Sequence, residues 1–543
     1  MPVAYRVWIL PPVLLLTNCS VGPEYRRPPG DVDNAWLEAE NPALNVEAPA
    51  HDRWWSVFND ATLGHLVRHA YQENLTLEAA GLRVIQARAR RGIAAGEFFP
   101  QAQSLGADIG QTSISDNDAN AALLDRNFAT GSIGLDVAWE LDFWGKFRRG
   151  IESADATLLA SIATYDDVLV SVLAEVASTY VEIRTLERRI ELLRANIALQ
   201  QDSLDIAEVR FRNGVTTELD VTEARSTLAN TQAALPDLDA QLRSAKLALG
   251  VLLAKKPSEL GALLGQSHGI PSAPASIAVG APANLLRRRP DVRLRERLAA
   301  AQSARIGVAT ANLYPSISIA GSTGLSTSNT SPPAGIGAGI GDLFDADSFG
   351  GFIGLGVDWP LLNYGRVKNN IRVQDAAYQQ AVAEYKATVL AAAAEVESSL
   401  YGYLQAQDQR KRLNESVDAA ARTLDLATIQ YTQGVVAFIR VNDANTFLTI
   451  QQDNEAVVQG VIAQQLIRSF KALGGGWEIR AGREFIPQKT IEQMRERTDW
   501  GDLLDPDYAE GRDLIFKRPV DEQKQGQPDT VESQSGSDQG EDR

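Results

Sequence analysis

Few side chains in this 543-residue sequence are set up for covalent or metal chemistry, and the first is its single cysteine, Cys19. It follows an apolar run, Val7 to Leu16 behind Arg6, too short to span a bilayer and suited to a secretory leader. Leu16-Thr17-Asn18-Cys19 resembles a bacterial lipobox, in which the thiol takes a diacylglyceryl group and the cysteine becomes the new N-terminus. Asn18 departs from the usual small residue, and Ser20 in place of aspartate favours sorting to an outer membrane. A lone cysteine permits no intrachain disulfide.

Other candidates are weaker. The four histidines are His51, His65, His69 and His268. His65 and His69 have the i, i+4 spacing of a metal pair, but no glutamate follows His65 as in a zinc-protease helix. Without a phosphate loop, nucleophile elbow or redox cysteine pair, no enzyme is expected, and no cofactor or metal besides the lipid on Cys19. Arg287-Arg288-Arg289 runs into Pro290-Asp291, which reads as a helix start before it reads as an anion site. A net charge of −17 argues against a nucleic-acid partner.

The elements that would carry these residues occur twice. Val137-Ala138-Trp139 leading to Trp144-Gly145-Lys146 is echoed about 220 positions later by Val357-Asp358-Trp359 leading to Tyr364-Gly365-Arg366. Phe211-Arg212-Asn213-Gly214-Val215 is echoed at the same offset by Tyr431-Thr432-Gln433-Gly434-Val435. Such a long period means one large unit duplicated in tandem. From Ile151 to Arg212 there is neither glycine nor proline, and Ile162, Tyr165, Leu169, Val172 and Val176 continue an amphipathic stripe. About 60 helical residues make a rod near 90 Å. The second copy, Arg366 to Gln433, is interrupted only by Gly402. Each rod ends at a glycine. Thr217 with Asp220 offers a cap for the first returning helix, and Pro236 a kink.

From Ser132 to Phe143 the odd positions are apolar and the even ones small or acidic. Ile353 to Leu361 repeats the pattern, with weaker partners at 103–112 and 316–326. This alternation fits membrane β-barrel strands around a watery lumen. The loops 113–127 and 327–348 are rich in Gly, Ser, Asn and Asp. No later segment is read as a transmembrane helix. Four strands cannot close a barrel, so copies must combine, and counting alone allows two, three or four.

Cys19-Ser20-Val21-Gly22-Pro23-Glu24-Tyr25, Arg53-Trp54-Trp55, Arg288-Arg289-Pro290-Asp291, the two tip glycines and Leu473-Gly474-Gly475-Gly476-Trp477 together resemble outer-membrane efflux lipoproteins of the NodT type, within the TolC-like outer membrane factors. The resemblance covers roughly residues 15 to 480. It implies an α+β membrane protein: a homotrimer with a 12-stranded transmembrane β-barrel, a long periplasmic α-helical barrel, and an equatorial belt between them. It also implies a periplasmic adaptor (membrane fusion) protein at the helical tip and an inner-membrane pump of the RND type. Asp443 matches a gate position inside the second tip, where three carboxylates on one axis would repel and attract cations. Arg440 stands where some relatives carry another acid. Adaptor contact is assigned by the resemblance to segments 211–219 and 431–438, with Phe211, Arg212, Gly214, Thr217, Tyr431, Gly434 and Val435.

The expected organisation is a leader at 1–18, a lipidated segment at 19–60, and two repeats at 61–285 and 286–477. The first repeat holds a β-hairpin at 101–143 and a helical hairpin at 151–250. The second holds them at 315–362 and 366–473. An equatorial extension at 478–520 and a disordered acidic tail at 521–543 follow. The expected function is an outer-membrane exit duct that passively conducts small molecules. Its alternatives are a type I protein secretion channel and a non-conducting coiled-coil tether.

Overall fold

The computed structural model describes residues 20–505 and 508, apart from 31, 46–50, 116, 118–124, 268, 281, 283–286, 330–338 and 482. Cys19, the leader and the tail 521–543 lie outside the described residues.

In chain order the principal elements are β1 (Leu44–Asn45), α1 (Ala61–Glu73), α2 (Leu75–Gly96), β2 (Ala102–Ser113), β3 (Asn127–Leu141), α3 (Lys146–Arg212), α4 (Glu218–Leu252) and β4 (Ile277–Ala278). There follow α5 (Pro290–Ala311), β5 (Ser316–Ser328), β6 (Phe349–Asp358), α6 (Arg366–Thr432), α7 (Ile439–Ala472) and α8 (Gln488–Arg497). α3 and α6 are each 67 residues long, and the returning helices α4 and α7 have 35 and 34. Trp139 and Trp359 each donate their indole N–H to a carbonyl in the turn two residues past the end of a helix, Phe98 after α2 at 3.1 Å and Leu313 after α5 at 3.0 Å.

Several local expectations change. α3 starts at Lys146 and runs through Gly150, and α6 runs through Gly402. Pro236, where a kink is expected, lies within α4. Thr217 occupies the N-cap of α4, but its side chain makes no capping bond. α3 also carries an 18-residue window of mean hydropathy 1.5, apolar enough to cross a bilayer, where the sequence reading foresees none; 61% of that window is buried within the protein. The explanation is packing, since α2, α4, α5 and α7 all lie against α3.

Four of the strands form one antiparallel sheet in the order β2-β3-β5-β6, so among the described residues β2 and β6 are its open edges. Its register aligns Trp139 with Ile319 and Ile319 with Leu355, and it places Asp136 between Ser104 and Ser322. Apolar odd residues therefore share one face and polar or small ones the other. Along the two edge strands the apolar face is bare, with Leu105 77% and Ile353 80% exposed, while Ile133, Val137, Trp139 and Ile319 of the inner strands are half-buried.

The two largest apolar clusters among the described residues lie between the helices. One, at mid-height, gathers Trp54, Leu66, Leu169, Tyr180, Leu249 and Phe470. The other, near the helical tips, joins Leu204, Val221, Leu424, Phe438 and Leu448. Arg289 caps the start of α5 from a buried position, donating to Asp291 at 2.7 Å, Glu395 at 2.8 Å and the Ala472 carbonyl at 2.6 Å. Arg289 is thus engaged by protein partners, and Pro290 opens α5 directly behind it, as a helix start requires.

Two straps bind the outside. The N-terminal arm begins with Ser20 against Gly145, where β3 passes into α3. Val21 donates its N–H to the Trp144 carbonyl at 3.0 Å and accepts from Arg149 Nε at 3.3 Å. The arm passes Glu296 through Arg27 (2.9 Å) and ends in β1, paired parallel with β4. Gly22 has φ +95°, and a Cβ there would come within 2.4 Å of the Gly307 backbone. Gly22→Val is therefore expected to lift the arm: limited proteolysis should cut within residues 20–45 while the helical CD signal stays unchanged. An arm equally resistant in both proteins would refute the close-packed seat. The second strap is C-terminal. Ile486, Ile491, Met494 and Leu504 pack on Ile85 of α2, and Arg88 donates to the carbonyls of Leu503 (2.9 Å) and Asp505 (2.8 Å).

Candidate functional site

At the tips the chain reverses twice, at Gly214 with φ +69° and at Gly434 with φ +76°. These left-handed turns close each long helix by returning backbone bonds, Val215 N–H to the Arg210 carbonyl and Val435 N–H to the Gln430 carbonyl, both 2.9 Å. Phe211, Arg212, Gly214 and Thr217 of the first tip are exposed, as are Gly434 and Val435 of the second. These residues form a solvent-facing edge with apolar content from Phe211, Val215 and Val435.

Tyr431 is the exception and a correction: at 3% exposure it offers nothing to an outside protein. Its ring meets Phe438 edge to face at 5.2 Å, and its hydroxyl donates to Asp220 Oδ2 at 2.9 Å. Burial, and then Asp220, push the phenol up to about 12, so it keeps the proton it donates at neutral pH. The Arg210 guanidinium lies over the same ring at 4.7 Å and donates to the Thr432 carbonyl at 2.8 Å. Thr216 adds a second hydroxyl to Asp220. Asp220 therefore ties the two hairpins together instead of completing a cap with Thr217. Because its main partner lies 211 positions away, no local motif could reveal the tie.

Farther along, α3 and α7 meet through polar side chains. Arg189 holds Asp453 with two bonds of 2.7 and 3.0 Å, Asn196 donates to Gln452 at 2.8 Å, and Asn445 donates to Ser203 at 3.1 Å. From α4, Thr227 donates to Asn442 at 2.6 Å. The neutral amides and hydroxyls of this seam can exchange their bonds for water at little net cost, whereas apolar contacts cannot.

Asp443 and Arg440 are brought together on one exposed face between α6 and α7. They line a groove of about 640 Å³ with Leu426, Val436 and Phe447. A second cavity of about 310 Å³ lies where Val209 and Arg210 approach Thr432. Far from the tip, His65 and His69 stack at 6.3 Å on α1, and no group of three or more metal-binding side chains occurs among the described residues.

The outer membrane efflux protein family model matches residues 66–255 and 281–475, most of the chain. Nodulation protein T of Rhizobium leguminosarum bv. viciae is 30% identical over 469 residues, covering 86% of this chain and 92% of the relative. The pyoverdine export outer membrane protein OpmQ of Pseudomonas putida is 29% identical over 448 residues, covering 80% and 90%. Among solved structures, the outer-membrane channel OprN superposes with a TM-score of 0.77 at 31% identity, covering 85% of this chain and 100% of that one. The Campylobacter jejuni CmeC channel, at 20% identity and a TM-score of 0.78, shares the fold over 89% and 99%. With its paired long helical hairpins and four-stranded sheet, this chain belongs to the outer membrane efflux protein family, the TolC-like channels.

Proposed function

We propose that this chain is the outer-membrane exit duct of a tripartite efflux system. Three copies would each give four strands to a 12-stranded barrel, and their helical hairpins would continue it as a tunnel into the periplasm. The observation that carries this reading is the sheet: an apolar face bare along both edge strands, and two edges with no partner strand among the described residues, joined to helices of 67 residues. In lipid, such a face is satisfied and such edges must be closed by further copies. A coiled-coil tether has no use for either. The two long helices, each of 67 residues and 220 positions apart at both ends, support an internal duplication.

The seat of Ser20 beside Gly145 puts the residue after Cys19 at the base of the strands. A diacylglyceryl group on Cys19 would there reach the periplasmic leaflet. The exposed tip edge is the docking surface for a periplasmic adaptor, which would join the duct to an inner-membrane pump. The chain itself would be a passive conduit without catalytic chemistry, gated at the Asp443 and Arg440 face.

The test is single-channel conductance of the mature protein in planar bilayers, beside Asp443→Ala. The wild type should give small, rare openings with cation preference. Removing three axial carboxylates should reduce that preference several-fold. A folded trimer that passes no current in either form would exclude the duct. Unaltered selectivity would move the gate away from Asp443.

A further inference from the structure

One member of the α3–α7 seam lies at a level that does not match. Asn196 pairs with Gln452 and Ser203 with Asn445, which fixes an antiparallel register along the two helices. By that register, Gln200 is level with Leu448. Gln200 is 3% exposed, and its amide nitrogen and its amide oxygen are both buried without a hydrogen-bond partner among the described residues. Leu448, also 3% exposed, belongs to the apolar tip core and can offer the amide nothing. Levels on either side are satisfied, so the mismatch is confined to one turn. A primary amide that gives up water without gaining a protein partner weakens the contact that buries it.

We propose that Gln200 is a positioning residue of the gate: it loosens the α3–α7 seam at one level, roughly 18 Å from the end of α3, and so keeps the closed tip poised to part. The proposal rests on the reading of the tips as a gate. Closure is then held by the Tyr431–Asp220 tie at the tip and by Arg189–Asp453 deeper in, with a deliberately weak turn between them. Parting the seam there lets water reach the orphaned amide and recovers its hydrogen bonds.

The test uses the full-length lipidated trimer with Gln200→Leu, Leu448→Gln and the double variant. The first removes the orphaned amide and the second gives it a partner, so opposite chemistries should act in the same direction. Each single variant is expected to slow amide hydrogen exchange over residues 196–203 and 445–452 and to lower the open probability about tenfold. The double variant restores a polar residue facing an apolar one and should return toward wild type. Exchange and opening unchanged in Gln200→Leu would overturn the proposal, as would single variants that open more often. Slower exchange with unchanged opening would also overturn it, by placing the moving contact elsewhere. If no form conducts, the gate reading fails on its own, and the exchange rates still decide whether this level is weak.

Discussion

Tyr431→Phe is expected to open the channel while leaving the protein folded. The substitution keeps the ring that packs on Phe438 and removes only the hydroxyl that reaches Asp220 at 2.9 Å. A hydrogen bond to a charged acceptor contributes about 1.5–3 kcal/mol. Its loss should raise the open probability roughly 10- to 100-fold per independently gated tip. The unfolding temperature should hardly move, because the edge-to-face contact and the burial remain. Asp220→Asn, which keeps an acceptor oxygen, should open less than Tyr431→Phe. Openings as rare as in wild type would show that the tie does not hold the gate. The first tip supplies an internal comparison: the position that echoes Tyr431 is Phe211, which is 42% exposed and makes no such bond.

The largest stability effect should come from Asp166 on α3. Its carboxylate has no exposed surface and accepts from Arg480 Nη2 at 3.1 Å and from Arg293 Nη1 at 3.4 Å. Both guanidinium groups lie over the Trp477 ring, at 5.0 Å for Arg293 and 5.8 Å for Arg480. Burial tends to raise the carboxyl above its usual range, and the two arginines pull against that. Removing one member of a buried ionic group leaves the others uncompensated and costs about 3–5 kcal/mol. Asp166→Ala should therefore lower the unfolding temperature of the detergent-solubilised protein by several degrees. It should also free the C-terminal strap, seen as new proteolytic cuts between residues 478 and 505. Asp166→Asn, which keeps an acceptor without the charge, should fall between. An unchanged unfolding temperature would mean that the arginines find other partners in the belt.

The contrast between Phe211 and Tyr431 shows where local sequence stops. Both lie in the same repeated pattern just before a tip glycine, and both read as surface residues. Which of them is buried depends on Asp220 and Phe438, brought in by the packing of one hairpin on the other. Thr217 shows the same limit from the other side. The cap spacing was present, but Asp220 is engaged by Thr216 and Tyr431, and the cap bond is not made.

What the sequence determined by itself were the properties that depend on near neighbours and on period. The 3.6-residue stripe and the absence of breakers made the long helices. The two-residue alternation assigned the faces of the strands, and a left-handed turn that favours glycine marked each tip. The repeat at about 220 positions matched element to element without any three-dimensional information. Tertiary structure alone decided the strand order, which leaves β2 and β6 as edges, and the course of the two straps. It also decided the Asp166 cluster, the Asp220 tie and the level at which Gln200 meets Leu448. Each of these joins residues more than a hundred positions apart. Side-chain identity says what a residue can bond to, and only the packed chain says which partner comes within reach.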